Sequence, residues 1–140
     1  MSAPHHADVV IVGSGHAGVQ LAASLRESGY SGTITLFNGE PHAPYYRPSL
    51  SKEILAAAPR PVDLALRSDT FYTSRELRLE HTQVSRIDRE RCVVGTVDGR
   101  EWRYSYLVLA TGGRPRPLSV SGADLDGVVM LRSLDEAQQL

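Results

Sequence analysis

Six residues near the amino terminus form the first pattern in the chain that could do chemistry. They match the glycine pattern GxGxxG and are Gly13, Ser14, Gly15, His16, Ala17 and Gly18. A β-branched apolar run precedes them at residues 8–12, and apolar residues at helical spacing follow them. In that context the first glycine permits a tight turn, the second lets the backbone approach a diphosphate, and the third lets the helix pack closely on the strand. The pattern predicts a dinucleotide site at a helix amino terminus, whose N–H groups favour anions.

An acidic residue lies at the distance expected for a ribose contact. Glu40 follows a second predicted strand, residues 33–37, and comes about 20 residues after the glycine pattern. A carboxylate in this place accepts hydrogen bonds from a ribose diol. The alternative interpretation is a solvated loop charge. No basic residue occupies the position, so the sequence does not predict a site for a 2′-phosphate.

Two cations form a third signal, because Arg47 is followed closely by Lys52, the single lysine of the chain. They flank the predicted start of a helix over residues 50–58, which ends before two prolines. Cations beside free backbone N–H groups predict a site for an anion or an electron-rich ring. Solvated surface charges are the alternative interpretation of the same residues.

Small residues at the end of a later strand form the fourth signal. A predicted buried strand, residues 106–110, leads into Ala110, Thr111 and Gly112. Small residues at such a point let the backbone pass close to a cofactor. Taken alone, they are equally consistent with a plain strand and turn.

The elements that must position these residues follow from the spacing of the apolar side chains. Residues 8–37 predict a β–α–β unit, with Gly29 ending the helix, and such a unit requires a parallel sheet. Asp98 and Gly99 predict a two-residue hairpin turn. The other predicted elements are a helical turn over 70–77, strands over 84–88, 92–97, 101–104 and 106–110, and a helix over 133–140. The predicted fold class is α/β, a Rossmann-like domain with a parallel sheet plus a small antiparallel β-hairpin or meander.

Composition excludes several other classes of protein. Fifteen basic and sixteen acidic residues give a net charge of −1, and nucleic-acid binding needs a basic excess. The single cysteine, Cys92, excludes an intrachain disulfide. No apolar run approaches a membrane span and the first residues show no secretory signal, so we expect a cytoplasmic protein without membrane contact. The histidines lack metal-ligand spacing, so no metal site is predicted.

In this order and spacing, the four signals resemble the FAD-dependent pyridine-nucleotide reductases. The stretch 47–52, RPSLSK, is similar to the ferredoxin and rubredoxin reductase branch, and the stretch 106–118 is similar to proteins of the putidaredoxin reductase type. Disulfide reductases of the same superfamily carry a CxxC pair, which this chain lacks. The resemblance covers nearly the whole chain, roughly residues 8–140.

The resemblance implies a role for each signal. Residues 13–18 would hold the FAD diphosphate, Lys52 would lie near the flavin as the catalytic residue, and Arg47 would line the same loop. The first acid of the family usually stands where this chain has Gly39, so only the second acid, Glu40, is present to contact the ribose.

Three further contacts to FAD are implied by the same resemblance. Val84 would offer its backbone to the adenine, and Arg132 would reach FAD from the start of the next domain. Ala110, Thr111 and Gly112 would pass close to the cofactor.

The implied activity is hydride transfer from NAD(P)H to FAD, then transfer of single electrons to a small iron–sulfur protein of the ferredoxin or rubredoxin type. That partner would serve a haem monooxygenase or a similar oxygenase. We expect an FAD-binding domain over residues 1–118, then a linker and the start of a truncated NAD(P)H-binding domain over 119–140. One alternative is a dinucleotide-binding module without catalytic activity. Another is an NAD(P)-dependent dehydrogenase, which would leave the run 47–52 and the small residues 110–112 unexplained.

Overall fold

The computed structural model of the chain describes residues 4–56 and 64–140. The described residues divide into two compact units. The first comprises residues 4–45 and 65–112, and the second comprises residues 46–56, 64 and 113–140. The strands, all in the first unit, are β1 (His5–Val12), β2 (Ile34–Phe37), β3 (Leu77–Glu80), β4 (Val84–Asp88), β5 (Val93–Thr96) and β6 (Glu101–Leu109). The helices are α1 (His16–Glu27), α2 (Glu53–Ala56), α3 (Asp69–Ser74) and α4 (Leu134–Gln139), with a 3-10 helix at Arg47–Ser51.

The strands form one sheet in the order β3-β2-β1-β6-β5-β4. The pairs β3–β2, β2–β1 and β1–β6 are parallel, whereas β6–β5 and β5–β4 are antiparallel. This arrangement confirms the predicted α/β class, a parallel sheet joined to a small antiparallel meander. Neighbouring parallel strands need a crossover connection, and α1 supplies it between β1 and β2.

Apolar side chains leave β1 on alternate faces and divide the core in two. Val9 and Ile11 pack with Val19 and Ala22 of α1 and with Tyr72 of α3. Val10 lies on the other face, in a second cluster of buried residues that are Ala7, Val10, Phe37, Val94 and Trp102. The period-two alternation of β1 thus holds α1 against one face of the sheet, with the glycine pattern at its amino-terminal end.

The end of α1 confirms the predicted glycine stop. Gly29 has a positive φ of 83°, and its N–H donates to the carbonyl oxygen of Arg26 at 3.0 Å. The next N–H, of Tyr30, donates to the carbonyl oxygen of Leu25 at 2.9 Å. This pair of bonds is a Schellman motif, which favours glycine at the left-handed position.

Several predicted elements differ from the structure. The strands expected over 101–104 and 106–110 are one continuous strand, β6, and its second half is not buried, since Tyr106 is 65% and Leu109 is 62% exposed. The physical reason lies in the pairing: β1 runs along most of β6, while β5 pairs only over Glu101, Trp102 and Arg103. Among the described strands, the second half of β6 therefore pairs with β1 alone.

The hairpin turn and the helix over 50–58 also differ. Gly99 has a φ of 84° and donates to the carbonyl oxygen of Thr96, so the loop has three residues, 97–99, and closes on a left-handed glycine. The expected helix is a 3-10 helix that ends at Ser51, followed by α2. The break falls at Lys52, whose φ of −123° and ψ of −88° are not helical. Residues 57 and 58 lie outside the described residues. The expected helical turn over 70–77 ends earlier, at Ser74, because Leu77 begins β3.

Candidate functional site

Four parallel strands end at the same edge of the sheet. Val12 pairs with both Phe37 and Leu109, and Phe37 pairs with Glu80, so the carboxyl ends of β1, β2, β6 and β3 lie in register. The residues that follow these strands are Gly13, Asn38, Ala110 and His81. Ligands of open α/β sheets bind at the carboxyl ends of the strands. The first unit therefore places the glycine pattern, the loop of Glu40 and the small residues after β6 along one edge.

Two glycines of the pattern are required by the protein itself. A Cβ on Gly13 would lie 2.2 Å from the carbonyl oxygen of Ala110, and Gly13 has a φ of 105°. A Cβ on Gly18 would lie 2.1 Å from the carbonyl oxygen of Gly13. Both distances are shorter than any real contact, so a side chain at either position would push the backbone apart. Gly13 thus permits the turn out of β1, and Gly18 lets α1 approach it, as predicted.

The middle glycine has no such explanation within the fold. A Cβ on Gly15 would meet no atom of the part of the chain that the structure describes within 4 Å, and the φ of −71° and ψ of −171° at Gly15 are open to any residue. Gly15 is also the N-cap of α1, where no described side chain caps the helix and no acidic residue lies in the first turn. Open space and an amino terminus without a side-chain cap fit a bound diphosphate, because helix N–H groups attract anions.

The small residues after β6 approach the glycine turn through backbone contacts. The Ala110 N–H donates to the carbonyl oxygen of Val12 at 2.8 Å, while the Gly13 N–H donates to that of Phe37 at 3.0 Å. Thr111 and Gly112 are exposed, and Gly112 has a positive φ of 67°. The structure thus brings Ala110 directly against Gly13, and the exposed backbone beyond it can come close to a ligand at this edge.

A polar cluster at the end of β2 was not predicted from the sequence. Asn38 is only 7% exposed, donates from Nδ2 to the carbonyl oxygen of His42 at 2.6 Å, and accepts from the Glu40 N–H at 3.3 Å. The Tyr45 hydroxyl, also buried, donates to Oε2 of Glu40 at 2.6 Å. The only sequence signal for Asn38 was its position directly after a buried strand. The half-buried Glu40 carboxylate is therefore held in place rather than freely solvated.

The loop between β3 and β4 meets the same cluster. Nδ1 of His81 lies 3.5 Å from the carbonyl oxygen of Glu40 and 3.5 Å from Nδ2 of Asn38. The side chain of Gln83 lies 3.8 Å from the place of a Cβ on Gly39. Val84 begins β4, is half-buried, and pairs with Thr96. Its neighbour Gln83 therefore brings the predicted adenine-binding segment beside the loop of Glu40.

Glu80, the last residue of β3, is a second carboxylate near this edge, but it is fully engaged in ion pairs. Oε1 of Glu80 lies 2.6 Å from Nε of Arg78, and Oε2 lies 2.7 Å from Nη1 of Arg100. Partial burial by itself raises the pKa of Glu80, but the hydrogen bonds from the two guanidinium groups outweigh it and lower the pKa. The Glu80 carboxylate is thus bound to two guanidinium groups of the sheet, those of Arg78 and Arg100. Glu40 is the better candidate for a ribose contact.

In the second unit, two predicted site residues are brought together. Nη1 of Arg47 donates to the carbonyl oxygen of Arg132 at 2.9 Å. The N–H groups of Arg132 and Ser133 donate to Oε2 of Glu136 at 2.6 and 2.8 Å, and the Ser133 hydroxyl caps α4 in return. This capping box explains Glu136, which sequence reasoning left without a role. The hydrogen bonds from the Ser133 and Arg132 N–H groups lower the pKa of Glu136.

Lys52 is exposed and lies between the 3-10 helix and α2. Its N–H donates to the carbonyl oxygen of Ser49 at 3.2 Å, and its carbonyl oxygen accepts from the Ala56 N–H at 2.9 Å. Since α2 has four residues, it supplies little of the dipole that the sequence argument assumed for this site. Any interaction of this segment with an electron-rich ligand therefore depends on the ammonium group of Lys52.

Two searches of the described residues, 4–56 and 64–140, gave negative results. No group of three or more histidine, cysteine, aspartate or glutamate side chains could hold a metal ion. Within the same ranges, each helix is too short or too polar to cross a membrane.

Comparisons with known proteins agree with this geometry. Rhodocoxin reductase of Rhodococcus erythropolis is 46% identical over 133 residues, which cover 94% of this chain and 31% of that protein. Rubredoxin-NAD(+) reductase of Pseudomonas putida is 42% identical over 133 residues, which cover 94% of this chain and 34% of that protein. The crystal structure of the ferredoxin reductase for the CYP199A2 system from Rhodopseudomonas palustris matches with a TM-score of 0.86 and 42% identity, over 94% of this chain and 33% of that one.

The chain therefore spans about a third of the length of the relatives it matches. The similarity confirms the predicted resemblance to ferredoxin and rubredoxin reductases, a class whose cofactor is FAD. Residues 7–140 match the family described as pyridine nucleotide-disulphide oxidoreductase. Since this match covers nearly the whole chain and agrees with the fold and with the glycine turn, the chain belongs to the pyridine nucleotide-disulphide oxidoreductase family.

Proposed function

We propose that this chain holds FAD in an NAD(P)H-dependent flavoprotein reductase, which passes electrons to a small iron–sulfur protein of the ferredoxin or rubredoxin type. The observation that carries the proposal is Gly15, where a Cβ would meet no atom of the described residues within 4 Å, so their packing does not require a glycine there. The names of the relatives, a rhodocoxin reductase and a rubredoxin-NAD(+) reductase, support the class of electron acceptor. The name of the structural relative, a ferredoxin reductase for a CYP system, supports a haem monooxygenase as the final consumer.

The first unit supplies the contacts to the dinucleotide in this proposal. The turn over residues 13–18 holds the diphosphate on the N–H groups at the start of α1. Glu40 accepts hydrogen bonds from the adenosine ribose, and the backbone of Val84 contacts the adenine. Thr111 and Gly112 let the exposed backbone after β6 come close to the cofactor. Each of these roles uses a residue at or beside the carboxyl edge of the parallel strands.

The second unit supplies cations in this proposal. A bound FAD would supply the capacity to accept a hydride from NAD(P)H and to release single electrons, while the residues of this chain would hold, orient and tune it. Lys52, the only lysine, is exposed and lies near the flavin as a hydrogen-bond donor. Arg47 fixes the segment before Lys52 by its bond to the carbonyl oxygen of Arg132, and Arg132 reaches FAD. Residues 1–118 form the FAD-binding domain, and 119–140 lead into the NAD(P)H-binding domain of a cytoplasmic enzyme.

A second candidate function is dinucleotide binding without catalysis by the 140-residue chain itself. It is favoured by one observation, that the chain spans about a third of the length of its relatives. The cofactor site and the nicotinamide site of the complete reductase would then lie on different parts of a longer protein.

Calorimetric titration with FAD tests the first step of the proposal, and NADH-dependent reduction of ferricyanide tests the second. The proposal expects saturable binding of FAD, with the visible absorbance of a bound flavin. Ferricyanide reduction by the chain alone would support catalysis within these residues, whereas FAD binding without reduction would support the binding module. A chain that binds no FAD contradicts both candidates.

A further inference from the structure

We infer that Tyr45 and Asn38 are positioning residues, which orient the Glu40 carboxylate for the adenosine ribose of the dinucleotide. The inference rests on the dinucleotide binding proposed above and goes beyond it, because neither side chain belongs to the glycine pattern. Glu40 is the one acidic residue between β2 and the 3-10 helix, residues 38–46. A single carboxylate then has to be held accurately by its neighbours.

Asn38 fixes the path of the backbone between β2 and Glu40. Its N–H donates to the carbonyl oxygen of Glu80 at 2.8 Å, so the residue is tied to the end of β3. Its side-chain oxygen accepts from the N–H of Glu40, two residues later, which is an Asx-turn. Its Nδ2 donates to the carbonyl oxygen of His42. These bonds close the loop tightly over 38–42 and set the direction in which residue 40 leaves it.

Tyr45 fixes the carboxylate itself. Its backbone is anchored by an antiparallel bridge to Ala65, and the neighbouring Pro44 carbonyl oxygen accepts from the Leu66 N–H at 2.8 Å. The buried ring of Tyr45 therefore presents its hydroxyl from a rigid position, 2.6 Å from Oε2 of Glu40. A bond from a neutral donor to a charged acceptor is of the stronger kind.

The bond from Tyr45 engages one oxygen of the Glu40 carboxylate. An ionised carboxyl group has about four acceptor positions, so a bond to one hydroxyl is compatible with further bonds. By fixing a rotamer of Glu40, the bond also reduces the conformational entropy that this side chain would lose when it binds a ligand. Since β2 ends beside the glycine turn, a carboxylate held here lies on the side of the diphosphate where a ribose diol is expected.

The inference is tested with two ligands that differ by one hydroxyl group, ADP and 2′-deoxy-ADP. Calorimetry on the 140-residue chain compares the wild type with Glu40→Gln and Tyr45→Phe. A hydrogen bond to a charged group predicts that the wild type prefers ADP by about tenfold. Glu40→Gln should abolish most of that preference. Tyr45→Phe should reduce it several-fold by releasing the carboxylate, because the hydroxyl that it removes is bonded to Glu40. Tyr104→Phe in β6 should leave the preference unchanged.

The outcomes distinguish a failure of the inference from a failure of the dinucleotide binding on which it rests. A wild type that binds ADP and 2′-deoxy-ADP equally, or a Tyr45→Phe variant with the full preference, overturns the inference and leaves dinucleotide binding intact. A wild type that binds neither FAD nor ADP overturns both. If Tyr45→Phe fails to fold by circular dichroism, Glu40→Asp replaces it, because a shorter side chain draws the carboxylate away from the Tyr45 hydroxyl. That variant should also lose the preference, and full retention would overturn the inference.

Discussion

The carbonyl oxygen of Ala110, just after β6, lies so close to Gly13 that a methyl group there would come within 2.2 Å of it. This contact joins the first turn of the chain to the end of a strand almost a hundred residues later. It makes Gly13 a requirement of the fold, whether or not a ligand is bound. The contact also distinguishes Gly13, which the fold requires, from Gly15 of the same pattern, where a Cβ would have no described atom within 4 Å.

Gly13→Ala is expected to destabilise the folded chain strongly. The left-handed φ of 105° and the clash with Ala110 act together, and such strain and overpacking cost about 2–5 kcal/mol. Chemical denaturation monitored by circular dichroism measures the loss. The matched control is Gly29→Ala, which has a φ of 83° and nothing within 4 Å, so it isolates the conformational cost of about 1–2 kcal/mol. Equal losses in the two variants would contradict the close approach of Ala110.

Arg26 is expected to hold the carboxyl end of α1 in a way that lysine cannot reproduce. Its guanidinium group donates to four carbonyl oxygens, those of Tyr30, Gly32, Arg75 and Glu76, at 2.7 to 3.1 Å. Lysine has a single compact ammonium group and cannot span these acceptors. Arg26→Lys should therefore lower the free energy of unfolding by about 1–3 kcal/mol. Arg103→Lys, at an exposed position of β6, should change it little, and a similar loss in both variants would argue against the Arg26 contacts.

Glu136 is expected to titrate below its ordinary pKa of 4.5. Its charged form is favoured in the folded chain by the N–H groups of Ser133 and Arg132. The lowered pKa means that this stabilisation is complete above pH 4.5 and is lost as the pH falls through the lowered value. NMR titration should show the Arg132 and Ser133 amide signals moving with the Glu136 carboxyl. Glu136→Gln should remove that transition, and a transition that persists in this variant would assign it to another group.

Lys52→Met is expected to change the visible spectrum of bound flavin or its rate of reduction in the complete reductase proposed above. The reason is that an exposed ammonium group in this loop is the proposed donor to the flavin, and methionine keeps much of the length without the charge. Stopped-flow reduction by NADH measures the rate. Lys52→Arg should restore part of the effect, and Arg89→Met, an exposed cation between β4 and β5, should have none. A Lys52→Met protein with the spectrum and hydride rate of the wild type would remove the role assigned to Lys52.

Local patterns allowed much of the fold to be predicted from the sequence. The β1–α1–β2 unit, the Gly29 helix end and the helix that begins at Ser133 all depend on residues close together in the chain, so short-range rules suffice. The continuity of β6 was not predicted, because Ser105 interrupts the apolar run without breaking the strand. The short helices around Lys52 were not predicted either, since apolar spacing does not distinguish a 3-10 helix from an α-helix.

The residues of the candidate site also differ in whether local sequence patterns are enough to predict them. The glycine pattern could be found because its three glycines have a fixed spacing within six residues, directly after a predicted strand and before a predicted helix. The contacts of Glu40 could not, since they depend on the buried amide of Asn38 and on a Tyr45 ring whose place is set by pairing with Ala65. Residue types alone do not show which of several polar groups in a proline-rich loop is buried. Tertiary packing decides that question.

The most direct measurement of the central claim is calorimetric titration of FAD into the wild-type chain and into Gly15→Ala. Among residues 4–56 and 64–140, no atom lies within 4 Å of a Cβ at this position, and the loss of a good N-cap should cost less than about 1 kcal/mol. We predict that Gly15→Ala folds as the wild type does and loses FAD affinity by at least about tenfold. Gly29→Ala, at the other end of α1, should keep the affinity despite its lower stability. Tight binding of FAD by Gly15→Ala would contradict the claim that a diphosphate lies against the backbone at this turn.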